Sequence, residues 1–94
     1  MVPRATDLSS KPQGPDDSCI RLDLLPKDHL AEVVELRSGH GATRKLAELG
    51  ILVGARLQVK RSAPLGGPIM VEVQGTMVAL GRRVAHRVLV RVLP

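Results

Sequence analysis

The sequence predicts a mainly β domain: a small closed barrel of about five short strands with one short α-helix inserted. Three observations favour this fold class. Apolar and polar residues alternate in several short segments, which is the pattern of strands with one buried face. Glycine and proline separate these segments, and a single segment has helical spacing. The chain of 94 residues allows one hydrophobic core but is too short for a two-sheet sandwich.

The N-terminal part of the chain differs in composition from the rest. Up to His29 it contains four of the seven prolines, and its five acids exceed its four bases. This composition is typical of a flexible leader, which we place at residues 1–19, with the domain at residues 20–94. The boundary is set there because four apolar residues ahead of the first strand can dock on the domain: Ile20, Leu22, Leu24 and Leu25.

The first predicted strand leads directly into the helix. Leu30 to Arg37 is rich in β-branched and apolar residues, and its apolar parity changes between Val33 and Val34, which indicates a bend or bulge. Gly39-His40-Gly41 ends this strand. Ala42 to Leu49 then has helical spacing, with three apolar residues expected to face the core: Ala42, Leu46 and Leu49.

The C-terminal end of the helix is specified by Gly50 and Ile51. Glycine can adopt the left-handed conformation that commonly follows the last helical turn. Ile51 can then fold back on Leu46 and anchor the helix to the core.

Four further strands complete the predicted barrel. A turn at Val53-Gly54 leads into the second strand, and Gly75-Thr76 forms a tight hairpin between the third and the fourth. Arg82 to Arg87 is a short connector with the length of a 3₁₀ turn. The strands themselves are predicted at residues 56–60, 69–74, 77–80 and 88–92.

The segment from Ala63 to Pro68 is a loop of defined shape. Its two prolines, Pro64 and Pro68, fix φ, while Gly66 and Gly67 permit positive φ. Leu65 lies at the tip of this loop. Either Leu65 is exposed and contacts a partner, or it folds back over the open end of the barrel.

Composition argues against several classes of binding module. The chain contains no Phe, Tyr or Trp, so it has no aromatic face on which a nucleic-acid base or a ligand proline could stack. From Leu30 onward ten basic residues face four acidic ones, a net charge of +6. This excess indicates either an ordinary solvated surface or a surface for an acidic partner.

Targeting and redox signals are scarce. The N-terminus lacks an apolar run that could form a signal peptide, and no stretch approaches the roughly 18 apolar residues that span a bilayer. The single cysteine, Cys19, cannot form an internal disulfide and fits a reducing compartment. We therefore expect a cytoplasmic protein without direct membrane insertion, tied to a membrane only through a partner.

Residues that could carry catalysis or bind metal form no recognisable set. The domain offers Ser38, Ser62, two threonines and scattered acids, without a visible nucleophile, base and orienting group. The candidate metal ligands lack the spacing of a metal site: Cys19, His29, His40 and His86. We expect no enzyme activity, no cofactor and no intrinsic metal site. Zinc held between molecules through His40 or His86 is the alternative.

Three segments of the domain resemble the FeoA family, ferrous iron transport protein A. Gly41 to Ile51 is similar to the family's basic helix, which ends in Leu/Met-Gly-Leu/Ile, and Val53-Gly54 stands where the family usually has Pro-Gly. The most specific match is Ala63-Pro64-Leu65-Gly66-Gly67-Pro68-Ile69 followed by Val73-Gln74-Gly75. The sequence departs from the family at Val84-Ala85-His86, where glutamates are common, and in its leader. The resemblance implies an SH3-like barrel.

The resemblance also implies a function, a non-catalytic accessory protein of ferrous iron uptake that contacts the FeoB transporter at its cytoplasmic face. Basic residues and the exposed loop add a candidate contact surface: Arg44, Lys45, Leu65, Arg82, Arg83, Arg87 and Arg91. The residues expected to maintain the structural motifs are Leu46, Gly50, Ile51, Pro64, Gly66, Gly67, Pro68 and Gly75. We expect a monomer or a weak dimer.

Two alternatives remain open. Similar SH3-like domains occur at the C-terminus of iron-dependent repressors, so the chain could be a detached regulatory module of that kind. Direct nucleic-acid binding would use the basic surface. It is disfavoured because stacking aromatics are missing and the apolar side of the helix is directed at the core.

Overall fold

The computed structural model describes residues 19–94, which form one antiparallel sheet of six strands with two short helices. In chain order the elements are β1 (Cys19–Arg21), a 3₁₀ turn (Leu22–Leu24), β2 (Leu30–Leu36), α1 (His40–Glu48), β3 (Arg56–Ser62), β4 (Ile69–Val73), β5 (Thr76–Leu80), α2 (Arg82–Ala85) and β6 (Val88–Val92). Neighbouring strands lie in the order β1-β6-β2-β3-β4-β5. The mainly β prediction is confirmed, with β1 as an additional strand.

The additional strand lies at one end of the strand order and pairs with β6. Cys19 is opposite Arg91 and Arg21 is opposite Leu89. Three residues are too few to show the alternation of a strand, so the sequence indicated only that this segment docks on the domain. Of the leader predicted at residues 1–19, only Cys19 is among the described residues, and it belongs to β1.

The predicted irregularity in the first long strand is confirmed. Along β2 the register against β6 shifts between Val33 and Glu35, so Val34 is the extra residue of a bulge. β3 has a second bulge, which the sequence did not predict, where its register against β4 shifts between Val59 and Arg61. Bulges increase the local bend and twist of a sheet, which helps these strands curve around one core.

Helix α1 begins two residues earlier than predicted, at His40, so of Gly39-His40-Gly41 only Gly39 lies outside the helix. Its first turn is closed by a bond from the Thr43 amide to the Gly39 carbonyl, 2.9 Å long. The two hydroxyls of Ser38 and Thr43 lie 3.1 Å apart, and the Thr43 hydroxyl also donates to the Ser38 carbonyl. These side-chain bonds hold the entry to the helix.

The end of α1 is as predicted. Gly50 has a φ of 90°, and its amide donates to the Ala47 carbonyl at 2.9 Å, while the Ile51 amide donates to the Leu46 carbonyl at 2.8 Å. This pair of bonds is a Schellman motif, in which the residue after the glycine packs against the last turn. Leu46 and Ile51 are both buried, so the motif anchors the helix to the core.

Two predicted connections are corrected. The hairpin turn between β4 and β5 is Gln74-Gly75, with φ values of 51° and 80°, and Thr76 already belongs to β5, opposite Val73. Two positive φ values are required by the tight turn that matches the twist of a hairpin. The connector after β5 contains one turn of α-helix, α2, rather than a 3₁₀ turn.

A single aliphatic core lies inside the curved sheet among the described residues. Strands β2 to β6, both helices and the 3₁₀ turn contribute to it. The predicted inward residues of β4 are buried: Ile69, Val71 and Val73. Within residues 19–94, neither helix has the length and hydropathy that crossing a bilayer requires.

Candidate functional site

The loop between β3 and β4, residues 63–68, presents Leu65 to solvent. Leu65 is 103% exposed relative to its reference, so of the two alternatives the one in which it folds back over the barrel is wrong, and its contact with a partner stays a prediction. The Gly67 amide donates to the Pro64 carbonyl at 3.1 Å, and the Ala63 amide donates to the Pro68 carbonyl at 2.9 Å. These two bonds close the loop into a defined turn.

The positive φ values of this loop are only partly where the sequence indicated, since Gly66 has one as predicted but Gly67 does not. Leu65 and Gly66 have φ values of 59° and 74°, whereas Gly67 is not in the left-handed region. Gly67 is needed for space instead, because a Cβ there would lie 2.7 Å from the Cβ of Ala63 and 3.2 Å from the Pro64 carbonyl oxygen. A leucine with positive φ is disfavoured by about 1–2 kcal/mol.

Arg82, the first residue of α2, holds the base of the same loop. Its Nε donates to the Gly67 carbonyl oxygen at 3.2 Å, and its Nη2 donates to the Ala63 carbonyl oxygen at 3.0 Å. The guanidinium is planar with fixed donor directions, so two bonds on one group restrict the loop strongly. Arg82 is half-buried. From the sequence we placed Arg82 among the exposed partner contacts, and no sequence pattern indicated that it holds the loop.

A groove lies between α1 and α2, with β5 at its base. It consists of two adjoining depressions of about 140 and 210 Å³, which share Ala42 and Val84. We call this pair of depressions the interhelix groove. The remaining lining residues are Ser38, Lys45, Leu46, Leu49, Ala79, Leu80, Gly81, Arg83 and Arg87.

The apolar stripe predicted on the helix is only partly covered. Leu46 is buried at 3% exposure, but Leu49 is 39% exposed and Ala42 is exposed. The expectation that all three residues pack into the core is therefore wrong for two of them. Both line the interhelix groove, because α2 lies beside α1 without closing over it.

The predicted basic contact residues do not form one cluster. Lys45, Arg83 and Arg87 line the interhelix groove. Arg44 is exposed on α1 and lines neither depression. Arg91 lies in the sheet instead, in register with Cys19 on β1 and with Glu32 on β2. The loop and the groove meet at Gly81-Arg82, so Arg82 connects the two regions.

Charged groups elsewhere form ion pairs on the surface. Lys60 Nζ lies 2.9 Å from Asp28 Oδ1 and 3.9 Å from Glu72 Oε1. The hydrogen bond with Lys60 lowers the pKa of Asp28, and the same bond raises the pKa of Lys60. Asp28 has a φ of 66°, and its own amide donates to the Val59 carbonyl. This pair joins the turn before β2 to β3.

The candidate metal ligands are dispersed over the described residues. No group of three or more His, Cys, Asp or Glu side chains converges within residues 19–94. The nearest approach is His86 Nδ1 to Asp23 Oδ2, at 3.8 Å, and the same carboxylate accepts two bonds from Arg21. His29 lies against the Lys27 carbonyl, and His40 is exposed at the start of α1.

Comparison with known proteins identifies one family. The FeoA domain model matches residues 20–92. A candidate Fe(2+) transport protein A from Methanocaldococcus jannaschii is 33% identical over 58 residues, which are 62% of this chain and 68% of that protein. The crystal structure of an iron uptake regulatory protein, FeoA, is similar with a TM-score of 0.74 and 37% identity, covering 80% of this chain and 99% of that one.

Two further structures bear on the fold. FeoA of Stenotrophomonas maltophilia, described as a prokaryotic SH3 domain protein and crystallised with zinc, has a TM-score of 0.65 and 32% identity, covering 76% of this chain and 88% of that one. A manganese-dependent transcriptional repressor in complex with manganese has a TM-score of 0.76 and 25% identity, covering 84% of this chain and 39% of the repressor. The SH3-like fold prediction is confirmed.

Proposed function

Because this chain belongs to the FeoA family of ferrous iron transport proteins, we propose that it is a non-catalytic accessory protein that contacts the FeoB transporter directly. In this proposal the protein acts in the cytoplasm and reaches the membrane only through the transporter. Its contact surface contains Leu65 and basic residues of α1 and α2.

The observation that carries the proposal is that Leu65 is exposed on a loop of fixed shape. This side chain is fully exposed, and its backbone has a φ of 59° that leucine disfavours. An unfavourable local conformation persists only where surrounding contacts enforce it. Here the two closing hydrogen bonds and the Arg82 guanidinium enforce it. An aliphatic side chain held in a fixed position can serve as the anchor that fills a pocket on a partner.

Charge supports the same kind of partner. The described residues contain twice as many basic as acidic side chains, twelve against six. Such an excess favours encounter with an acidic protein surface and gives an association rate that falls with ionic strength. The positive charge is distributed over both helices and the sheet, so it guides association, while Leu65 provides the localised contact.

The direct test is calorimetry of the full-length chain with full-length FeoB and with its soluble GTP-binding domain, both from the same organism. We expect binding to at least one of them, and we expect Leu65→Asp to weaken it at least tenfold. Val53→Asp is the matched control. Val53 is 61% exposed and lies before the opposite end of β3, about 20 Å from the loop for a seven-residue strand.

The outcomes separate clearly. Lost binding in Leu65→Asp with retained binding in Val53→Asp supports a contact through the loop. Equal affinity for both variants and the wild type removes Leu65 from the contact. No binding of the wild type to either protein, across nucleotide states and salt concentrations, refutes the proposed function.

The second candidate function is a detached regulatory module of the repressor type. It is favoured by the structural similarity to the manganese-dependent repressor, of which this chain spans only 39%. The test is binding to the DNA-binding part of an iron- or manganese-dependent repressor from the same organism. Duplex DNA itself should give a flat binding isotherm at low salt, where phosphate contacts are strongest.

A further inference from the structure

The structure assigns the interhelix groove a ligand: an apolar side chain carried by an acidic segment of a protein partner. The inference rests on the proposed function, since we place that segment on the transporter. It adds a second contact to that of Leu65 and specifies its chemistry. The groove is defined by the residues that line its two depressions, given above.

The apolar stripe of α1 is uncovered where it lines the groove. A helix of a small domain normally directs its apolar stripe at the core. Here Ala42 and Leu49 remain accessible beside buried Leu46. On the other side of the groove, Val84 of α2 is only partly buried. Apolar surface is therefore left open on both walls, and covering it with an apolar side chain would contribute about 25 cal/mol per Å².

The size of the groove limits which ligands it can hold. Its depressions measure about 140 and 210 Å³. Pockets for cofactors and drug-sized molecules are usually about 300–1,000 Å³ and enclose most of the ligand. Each depression is smaller than that range, and the two together reach only its lower end. Divided in this way, the groove fits one or two side chains of a protein segment.

The rim of the groove is positively charged. Lys45 contributes from α1, and Arg83 and Arg87 contribute from α2 and the residues after it. No aspartate or glutamate lines either depression. Among the described residues, these three cations have no acidic side chain within 4.0 Å. Their charges are available for an acidic segment, and electrostatic complementarity of this kind selects partners and raises association rates.

The charge pattern also argues against a second copy of this chain as the occupant. A copy would bring its own excess of basic residues, twelve against six acids in the described part, to a rim that is already positive. Like charges brought together at an interface are unfavourable. An acidic segment of another protein matches both the apolar groove and its rim.

The first experiment uses the full chain and a defined probe, without the transporter. A ¹⁵N-labelled chain is titrated with the synthetic peptide Glu-Asp-Leu-Leu-Glu-Asp and, separately, with Lys-Lys-Leu-Leu-Lys-Lys. We expect the acidic peptide to shift the amide signals of Ala42, Leu49 and Val84 and to leave that of Val53 unchanged. The basic peptide should cause no saturable shift. Absence of groove shifts with the acidic peptide overturns the assignment.

The second experiment fills the groove. Ala42→Trp places a large uncharged side chain between the helices, and Ala47→Trp is the matched control. Ala47 is also exposed on α1 and lines neither depression. The chain contains no other aromatic residue, so the emission of each tryptophan reports its own position. We expect a blue-shifted emission for Ala42→Trp and a solvent-exposed emission for Ala47→Trp.

The same two variants are then measured against the transporter. Ala42→Trp should weaken binding at least tenfold, while Ala47→Trp should stay within twofold of the wild type.

Reversing the charge at the rim should also weaken binding. The double variant Arg83→Glu with Arg87→Glu should bind more weakly and show a flatter salt dependence. The control double variant, Lys27→Glu with Arg56→Glu, changes the net charge equally and should have a much smaller effect. Normal binding by Ala42→Trp overturns the groove contact but leaves the Leu65 contact standing. If the wild type does not bind, the proposed function fails, and the peptide titration still decides the chemistry of the groove.

Discussion

The guanidinium of Arg82 donates through Nη2 to the carbonyl oxygen of Ala63 at 3.0 Å, a contact between residues that are 19 positions apart. Together with the bond to Gly67, this bond ties the Leu65 loop to α2. Helix α2 in turn forms one wall of the interhelix groove. The two regions proposed to contact a partner are therefore mechanically connected. A change at Arg82 should affect both without removing either.

Replacing Arg82 should loosen the loop more than it destabilises the domain. Arg82→Ala removes two hydrogen bonds from a charged donor, each worth about 1.5–3 kcal/mol. Because Arg82 is only half-buried, water replaces part of this loss. We expect about 1–2 kcal/mol less unfolding free energy in urea and a transporter affinity reduced toward that of Leu65→Asp. Arg83→Ala, its exposed neighbour, should leave the urea midpoint unchanged. Unaltered loop amide signals in the Arg82→Ala spectrum would contradict the role given to this residue.

The conformation of Leu65 should reduce the stability of the domain. Asparagine tolerates the left-handed region better than leucine, so Leu65→Asn should raise the unfolding free energy by about 0.5–1 kcal/mol. Because asparagine lacks the apolar anchor, the same variant should bind the transporter more weakly. The two measurements are urea unfolding and calorimetry. A variant that is both less stable and equally well bound would show that this residue serves the fold.

Gly50 should be required at the end of α1 for its φ of 90°. Gly50→Ala forces an unfavourable left-handed alanine and should cost about 1–2 kcal/mol. For a domain of this size, each kcal/mol lowers the melting temperature by about 4–8 °C. Gly41→Ala is the control, since Gly41 lies inside α1 without a positive φ and a Cβ there would meet nothing within 4 Å. Calorimetric melting of both variants tests the prediction, which an equal shift would refute.

The core should not accept a charge at Val71. This residue is fully buried in β4, and an unpaired carboxylate in an aliphatic core is strongly unfavourable. Val71→Asp should therefore unfold the protein, as should Leu46→Asp, and give an amide spectrum with collapsed dispersion. Met77→Asp on the exposed side of β5 is the control, because Met77 is 49% exposed. A well-dispersed spectrum of Val71→Asp would contradict the assignment of the core.

Stability should depend on pH through the pair of Asp28 and Lys60. Because the folded pKa of Asp28 is lowered below 3.8, its contribution is present above that pH and is lost as the pH falls through the folded pKa. The folded pKa of Lys60 is raised above 10.5, so its contribution is present below that pH and is lost at higher pH. The advantage of the wild type over Asp28→Asn should therefore shrink below pH 3.8. Urea midpoints across pH 2–6 test this, and a constant difference would refute it.

Most of the fold could be predicted because its signals are local. Alternation in β3, β4 and β6, the bulge after Val33 and the cap at Gly50 each depend on a few consecutive residues. The misplaced boundaries have local causes as well. The hairpin turn lies one residue earlier than predicted, at Gln74-Gly75, because Gln74 adopts a positive φ. Helix α1 includes His40 and Gly41 because the Thr43 amide closes the first turn on the Gly39 carbonyl.

The candidate site was predicted less completely. The sequence indicated the loop and its basic surroundings but left open whether Leu65 is exposed. The structure brings Lys45, Arg83 and Arg87 together at one groove. It separates Arg91 from them and gives Arg82 internal hydrogen bonds. Charge counting cannot distinguish these cases, because all these residues are basic.

The sequence by itself determined the class of fold, the end of the helix, the presence of a loop at residues 63–68 and the family to which the chain belongs. Tertiary structure alone decided that Arg82 holds this loop, that β1 joins the sheet and that Ala42 and Leu49 remain uncovered. The physical reason is the separation along the chain over which each kind of interaction acts. Periodicity and turn preferences act between residues a few positions apart, whereas the covering of an apolar stripe and the partner of a guanidinium depend on which distant elements pack beside them.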